Sequence, residues 1–216
     1  MNITPQPVEE YINGFYKPLG EGFVKLREKA ENDGVPIILL STEMFLLNMI
    51  NIKKPKHILE LGTAVGYSTA CFAKKGNCNV TSIELDEEML EKATFNLTEL
   101  NVAERVKLFH GDAEEVIRKE LSGQKFDFVF IDAAKSHYRR FFDAAVEVCE
   151  NEALIISDDV LLKGGTASDC YIKSRRHRTN IRNMREYLEY LTSLSYAETS
   201  IVPVGAGLAV TVLRGI

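Results

Sequence analysis

No stretch of the 216-residue chain approaches the apolar run that a membrane span needs. The opening residues, Met1 to Glu10, are polar and carry Pro5 and Pro7, a composition unlike a secretory signal peptide. The expectation is a cytoplasmic protein without a membrane partner. Cysteine is sparse and scattered at Cys71, Cys78, Cys149 and Cys170. There is no C-x-x-C pair and no histidine at zinc-ligand spacing, which argues against a zinc site. Cys71 and Cys149 fall in apolar helical patterns and read as core. Positive charge is not in excess: the formal net charge of −5 argues against wholesale electrostatic binding of nucleic acid. Internal repeats, low-complexity tracts and linker-like shifts are also missing. Residues 1–216 therefore read as one domain, with 1–55 a helical segment over the sheet.

What the chain has is alternation. Residues 7–32 read as helical, broken at Asn32-Asp33-Gly34 and Pro36, and Ser41 reads as the N-cap of a helix running toward Ile52. From Lys56 onward, strands and helices take turns. Strands are expected at 57–61, 80–84, 106–110, 126–131 and 153–157. Helices follow at 67–74, 87–100, 113–121 and 138–149. Apolar strands separated by helices of this length indicate a parallel sheet covered on both faces. The ending differs: a long polar helix, Arg175–Leu194, precedes two β-rich runs around Gly205-Ala206-Gly207, which read as a hairpin. The fold class is α/β, doubly wound and Rossmann-like. Its seven-stranded sheet is mostly parallel and closes on a C-terminal antiparallel hairpin.

Ligands in such sheets bind beyond the carboxyl ends of the strands. The first such end carries Glu60-Leu61-Gly62-Thr63-Ala64-Val65-Gly66-Tyr67-Ser68. Its G-x-x-x-G spacing is neither the dinucleotide fingerprint G-x-G-x-x-G nor a lysine-bearing phosphate loop. The loop suits an uncharged or cationic ligand better than pyrophosphate, and Glu60 points the same way. Glu84 ends the second strand, 22 residues after Gly62. There an acid can accept both ribose hydroxyl protons. Gly111-Asp112-Ala113 ends the third strand, where a carboxylate can accept from an adenine amino group. Either acid alone reads as a helix N-cap; in order on successive strands they read as a nucleoside site.

Asp132 follows the fourth strand and Asp158-Asp159 the fifth. Neighbouring strands lie about 4.8 Å apart, so these carboxylates can converge on one ion. Three carboxylates without Cys or His favour a hard cation, Mg²⁺ first, with Mn²⁺ or Ca²⁺ as alternatives. Such an ion can chelate two vicinal oxygens and lower the pKa of a hydroxyl. Lys135 can favour the oxyanion electrostatically or accept its proton, or be a solvated loop residue.

The motifs ILELGTAVGYST, SIELD, GDA, FDFVFIDAAKSHY and ISDDV, in this order, resemble the cation-dependent O-methyltransferases, which include catechol and caffeoyl-CoA O-methyltransferases. The resemblance runs from about Val35 to the C-terminus. Within that family, VPI, DDVLLKG, the arginine-rich helix and IVPVGAGLAV are most similar to the bacterial tRNA 5-hydroxyuridine methyltransferases. The resemblance implies S-adenosylmethionine held by Ile38, Gly62 to Ser68 (Gly62, Gly66, Tyr67 and Ser68 among them), Glu84, Asp112, Ala113 and Asp132. It also implies metal ligation by Asp132, Asp158 and Asp159, a base-like role for Lys135, and a homodimer. Where the family usually has Asn, this chain has Asp159. A catechol and 5-hydroxyuracil both offer two adjacent oxygens to one metal.

Substrate choice falls to another feature. Residues 173–185 carry six fixed positive charges, Lys173, Arg175, Arg176, Arg178, Arg182 and Arg185, in a chain of net charge −5. With Lys163 on the preceding loop, they suit the phosphates of a tRNA anticodon loop, although charge runs are more often a solvated face. The expectation is an O-methyltransferase of wobble 5-hydroxyuridine in tRNA, yielding 5-methoxyuridine. A small catechol-like or phenolic acceptor is the alternative. An NAD-dependent oxidoreductase is disfavoured because G-x-G-x-x-G is missing, and a non-catalytic binding module because of the three metal-competent aspartates.

Overall fold

The structure, a computed structural model, describes residues 3–172 and 178–215. Its helices in chain order are α1 (Gln6–Asn13), α2 (Glu21–Asn32), α3 (Leu40–Lys53), α4 (Tyr67–Gly76), α5 (Glu87–Glu99), α6 (Ala113–Glu120), α7 (Tyr138–Glu147) and α8 (Arg178–Ser193). The strands are β1 (His57–Leu61), β2 (Asn79–Glu84), β3 (Val106–His110), β4 (Phe126–Ile131), β5 (Cys149–Ser157), β6 (Ala197–Val202) and β7 (Leu208–Leu213). They form one seven-stranded sheet in the order β3-β2-β1-β4-β5-β7-β6. β1 to β5 run parallel, and β7 is antiparallel to both its neighbours. The expected α/β class, mostly parallel sheet and C-terminal hairpin are all present.

Alternation along each strand divides the apolar side chains between two helical layers. Phe128 and Phe130 of β4 face α2, α3, α4 and α5, packing with Phe23, Leu46, Ile50, Phe72 and Leu97. Val129 and Ile131 face α6, α7 and α8, packing with Ile117, Phe142, Met184 and Leu191. The order reverses between β1 and β4, so a crevice opens there at the carboxyl ends. Register aligns those ends: Leu61 pairs with Ile83 and with Ile131, and Ile131 with Ser157. The next residues in the chain, Gly62, Glu84, Asp132 and Asp158, therefore stand in one row.

Several boundaries differ from expectation. The helix expected over 7–32 is two helices, because Pro18 cannot donate a backbone bond and Gly20 (φ 150°) redirects the chain. Leu39, not Ser41, precedes the first turn of α3, and no side chain caps it. Ser41 instead lies inside that turn with its hydroxyl buried and unpartnered. Cys149 is core as expected, but it opens β5 rather than closing a helix. Among the described residues, no helix is long and apolar enough to cross a membrane.

Candidate active site

The row of strand ends floors a cavity of about 950 Å³. Gly62 shows why the loop after β1 needs glycine. At φ 100° a Cβ there would overlap the Asp132 carbonyl oxygen, so a side chain would push β1 and β4 apart. Gly66 (φ 79°) precedes α4, and its would-be Cβ meets Ala93 of α5 at 3.1 Å. Between them Ala64 takes a left-handed φ of 46°, strain that aims its N–H at Glu84 Oε2, 2.7 Å away.

Glu84 does not cap a helix. Its Oε2 accepts from Ala64 N and its Oε1 from Leu85 N (2.9 Å) and Asp86 N (3.0 Å). The cap of α5 is Asp86, which accepts from Met89 N. Glu84 is thus pinned and half-exposed at the cavity wall, with one lone-pair site of Oε2 left to accept a hydroxyl proton. Asp112 does cap. Its Oδ1 accepts from Glu114 N and Glu115 N, at the start of α6. Its Oδ2 pairs with Arg140 Nη2 at 2.7 Å, so a ligand amino group reaching Asp112 must share that oxygen.

Glu60 stands apart from expectation. It does not line the cavity but lies fully buried under α4, accepting from the Thr69 and Ser82 hydroxyls through Oε2. Its Oε1 has no partner. Burial raises its carboxyl to about 7, a rise that the Ser68, Ser82 and Thr69 hydroxyls only partly oppose.

The opposite end of the cavity gathers Asp132, Lys135, Asp158 and Asp159. Lys135 Nζ donates to Asp132 Oδ1 (2.7 Å) and to Tyr138 Oη (3.0 Å), and lies 3.6 Å from Asp159 Oδ2. Tyr138 in turn donates to the Asp158 carbonyl at 2.9 Å, locking the lysine's base to the end of β5. Burial and the Asp132 charge hold the Asp158 carboxyl well above the usual carboxylate range, and burial raises Asp159 as well. For Lys135 burial disfavours the charge, but Tyr138, Asp132 and Asp159 outweigh it and keep the ammonium protonated. Among the described residues, no three His, Cys, Asp or Glu side chains gather closely enough to hold a metal ion. The donor chemistry nevertheless fits a dication. Three hard carboxylates face one ammonium, and burial and mutual repulsion raise two of them, a penalty that a bound dication would relieve. Asp159 has φ 62°, a left-handed conformation that Asn and Asp tolerate better than most residues bearing a Cβ, so either residue fits this turn.

The sequence pattern of the O-methyltransferase family matches residues 21–214. The chain belongs to that O-methyltransferase family. It is 27% identical over 165 residues to a catechol O-methyltransferase of Niastella koreensis, covering 74% of this chain and 75% of that one. A candidate caffeoyl-CoA O-methyltransferase from Staphylococcus aureus superposes with a TM-score of 0.89 at 29% identity, covering 96% of this chain and all of the other. A Bacillus cereus O-methyltransferase in complex with SAH superposes at 0.83 with 21% identity, a likeness of fold; 96% of this chain and 97% of that one are covered.

The O-methyltransferase cavity brings together Ile38, Gly62, Tyr67, Ser68, Glu84, Asp112, Ala113, Asp132, Lys135, Asp158, Asp159 and Lys163. Gly66 and Glu60 sit behind it. Of the expected basic residues, Lys173, Arg175 and Arg176 lie outside the described residues. Arg178 and Arg182 are exposed on α8, away from the cavity wall. Arg185 is turned inward: it donates to the carbonyls of Thr166 and Gly165, both at 2.9 Å, and pairs with Asp169. Sequence reasoning passed over several other wall residues, Leu85, Phe141 and Ala206 among them. Only Ala206 carried a signal, its place between two turn glycines.

Proposed function

We propose that this O-methyltransferase takes S-adenosylmethionine as donor and methylates one of two adjacent oxygens on a catechol-like acceptor, with a divalent cation at Asp132, Asp158 and Asp159. The observation that carries the reading is a single cavity with two chemically distinct ends. One end, Glu84 and Asp112, offers acceptors for ribose and adenine donors; the other offers carboxylates and an ammonium. The donor supplies an electrophilic sulfonium methyl, and the cation supplies a lowered pKa for the acceptor hydroxyl.

The chain's own residues do the rest. The Gly62–Ser68 loop presents backbone N–H groups with no fixed positive charge, which leaves the sulfonium unopposed. Glu84 and Asp112 fix the nucleoside, so the methyl is delivered toward β4 and β5. As the S–CH₃ bond breaks and the O–CH₃ bond forms, the hydroxyl proton leaves toward the carboxylates and solvent. Lys135, held as ammonium, stabilises the developing oxyanion; the base-like role inferred from the family requires it to lose that proton first.

A tRNA carrying 5-hydroxyuridine is the second reading, favoured by one observation: exposed Lys163 at the cavity wall, with Arg178 and Arg182 exposed on α8. The homodimer is likewise a proposal. It is supported by the apolar side chains left exposed on α1 and just after it, among them Tyr11 (70%) and Phe15 (63%), and is tested by light scattering. Labelled S-adenosylmethionine offered with catechol or with hydroxylated tRNA, with and without EDTA, decides among these. Label in catechol that disappears with chelator and returns with Mg²⁺ or Mn²⁺ upholds the main reading. Full activity in chelator removes the metal from it.

A further inference from the structure

Outside the cavity wall, one buried ion pair joins three otherwise separate segments. Arg27 of α2 is 9% exposed and Glu43 of α3 is 1% exposed, with Nη2 to Oε2 at 2.8 Å. The same Nη2 donates to the Ile38 carbonyl at 3.0 Å, and Nε donates to Tyr67 Oη at 3.2 Å. The guanidinium also stacks over the Tyr67 ring, 4.5 Å from its centroid. Tyr67 Oη donates to Glu43 Oε2 (2.8 Å), and Tyr16 Oη fills Glu43 Oε1 (2.9 Å). Ile38 and Tyr67 are both cavity wall, from separate segments: one from the irregular stretch before α3, the other from the first turn of α4. Residues 35–39 belong to no helix or strand ladder before Leu40, so no regular backbone bonding fixes their distance from the glycine loop.

We infer that the Arg27–Glu43 pair positions the donor site by clamping the Ile38 segment to Tyr67 at a fixed spacing across the glycine loop. The inference rests on the reading of that end of the cavity as the S-adenosylmethionine site. Arg27 and Glu43 touch no ligand; they act through Ile38 and Tyr67. A buried pair kept only for packing predicts native affinity in a variant that loses both charges, because removing them together is often neutral or stabilising for the fold and nothing then depends on the clamp.

That contrast supplies the experiment. S-adenosylhomocysteine binding by calorimetry and melting temperature are measured for the full chain, for Arg27→Met/Glu43→Gln and for Tyr67→Phe. The double variant loses the clamp on Ile38 without stranding a charge. It should melt near wild type yet bind S-adenosylhomocysteine about tenfold more weakly, because the wall must now be ordered on binding. KM for donor should rise with it while KM for acceptor holds. Tyr67→Phe keeps the ion pair and its stacking on the ring but removes the hydrogen bonds that tie Arg27 and Glu43 to α4, so it should weaken binding several-fold with little change in melting. Native affinity in a folded double variant overturns the inference. If the double variant does not fold, native affinity in Tyr67→Phe overturns it instead. A wild-type chain that binds no S-adenosylhomocysteine sinks the donor-site reading and this inference with it.

Discussion

Glu60 and Glu84 stand on adjacent strands and share a residue type, but their surroundings give them different chemistry. Glu84 has its carboxylate satisfied by three backbone N–H groups at a half-open wall. Replacing it with Ala removes the proposed ribose acceptor and the partner that holds Ala64 at its strained φ. S-adenosylhomocysteine binding should weaken by about 1–3 kcal/mol, the range for a lost charged hydrogen-bond partner. Calorimetry checks this, and unchanged affinity would return Glu84 to a purely structural role. Glu60 is fully buried with one oxygen unpartnered, and its carboxyl is pushed up to about 7. Below pH 4.5, its ordinary value, it is protonated folded or unfolded and adds no pH dependence. Between there and about 7 the unfolded chain releases the proton while the folded chain keeps it, so stability falls as pH rises. The whole contribution is about 3 kcal/mol, and Glu60→Gln should flatten stability across that window in a pH series of denaturant melts. The identity of such acids was legible in the sequence because strand ends are marked by motif and spacing. Their burial was not: β1 alternation puts Glu60 against α4, which only the assembled layers reveal. Arg27 and Glu43 left no trace either, being 16 residues apart on different helices with no shared periodicity.

At the scale of elements, the proposed acceptor end is built by three loops that grip one another. Val160 N and Leu161 N donate to the carbonyls of Gly207 and Ala206 at 2.9 and 3.1 Å, fastening the β5 exit to the hairpin turn. Gly207 is there because a Cβ would meet Leu161 at 2.5 Å. Arg185 of α8 ties down the next stretch, Gly165–Thr166. Leu162 and Lys163 both take left-handed φ, 43° and 58°, in a run that faces the cavity. Ala206 lines the cavity beside the β5 exit, where its carbonyl accepts from Leu161 N. Ala206→Leu should therefore raise acceptor KM about tenfold or more while S-adenosylhomocysteine affinity stays native, since overpacking acts only where volume is added. Parallel weakening of both ligands would show that the turn shapes the whole cavity. The strands and most helices were legible because apolar periodicity reports burial directly. What escaped the sequence were boundaries set by tertiary contact. Pro18 and Gly20 interrupt a pattern that otherwise reads as continuous, and Ser41 has cap chemistry but a place inside the first turn.

Across the whole molecule, charge is sorted by place. The strand-end row concentrates carboxylates that repel one another, so the acceptor end is a site held against its own stability. Asp158→Asn should remove that repulsion, raising the melting temperature in chelator while abolishing transfer; a lower melting temperature would mean Asp158 is structural. Exposed positive charge also stands at Lys163 and, on α8, at Arg178 and Arg182, in a chain of net charge −5. If this face docks tRNA, its exposed cations meet phosphates and release counterions, and binding falls steeply with salt. Arg185 cannot take part without releasing Gly165 and Thr166, so the docking set among the described residues is Lys163, Arg178 and Arg182. Changing these three to Ala should raise KM for hydroxylated tRNA and leave the chemical step intact, because positioning contacts do not touch the transferring methyl. Each lost phosphate contact should lower the log–log salt slope by about 0.7–0.9. Turnover of a small catechol should not change in the same variant, since it brings no phosphates. A triple variant with native tRNA affinity and slope clears this face of docking. Robust catechol turnover with none on hydroxylated tRNA assigns the basic helix to solvation alone and the enzyme to small acceptors.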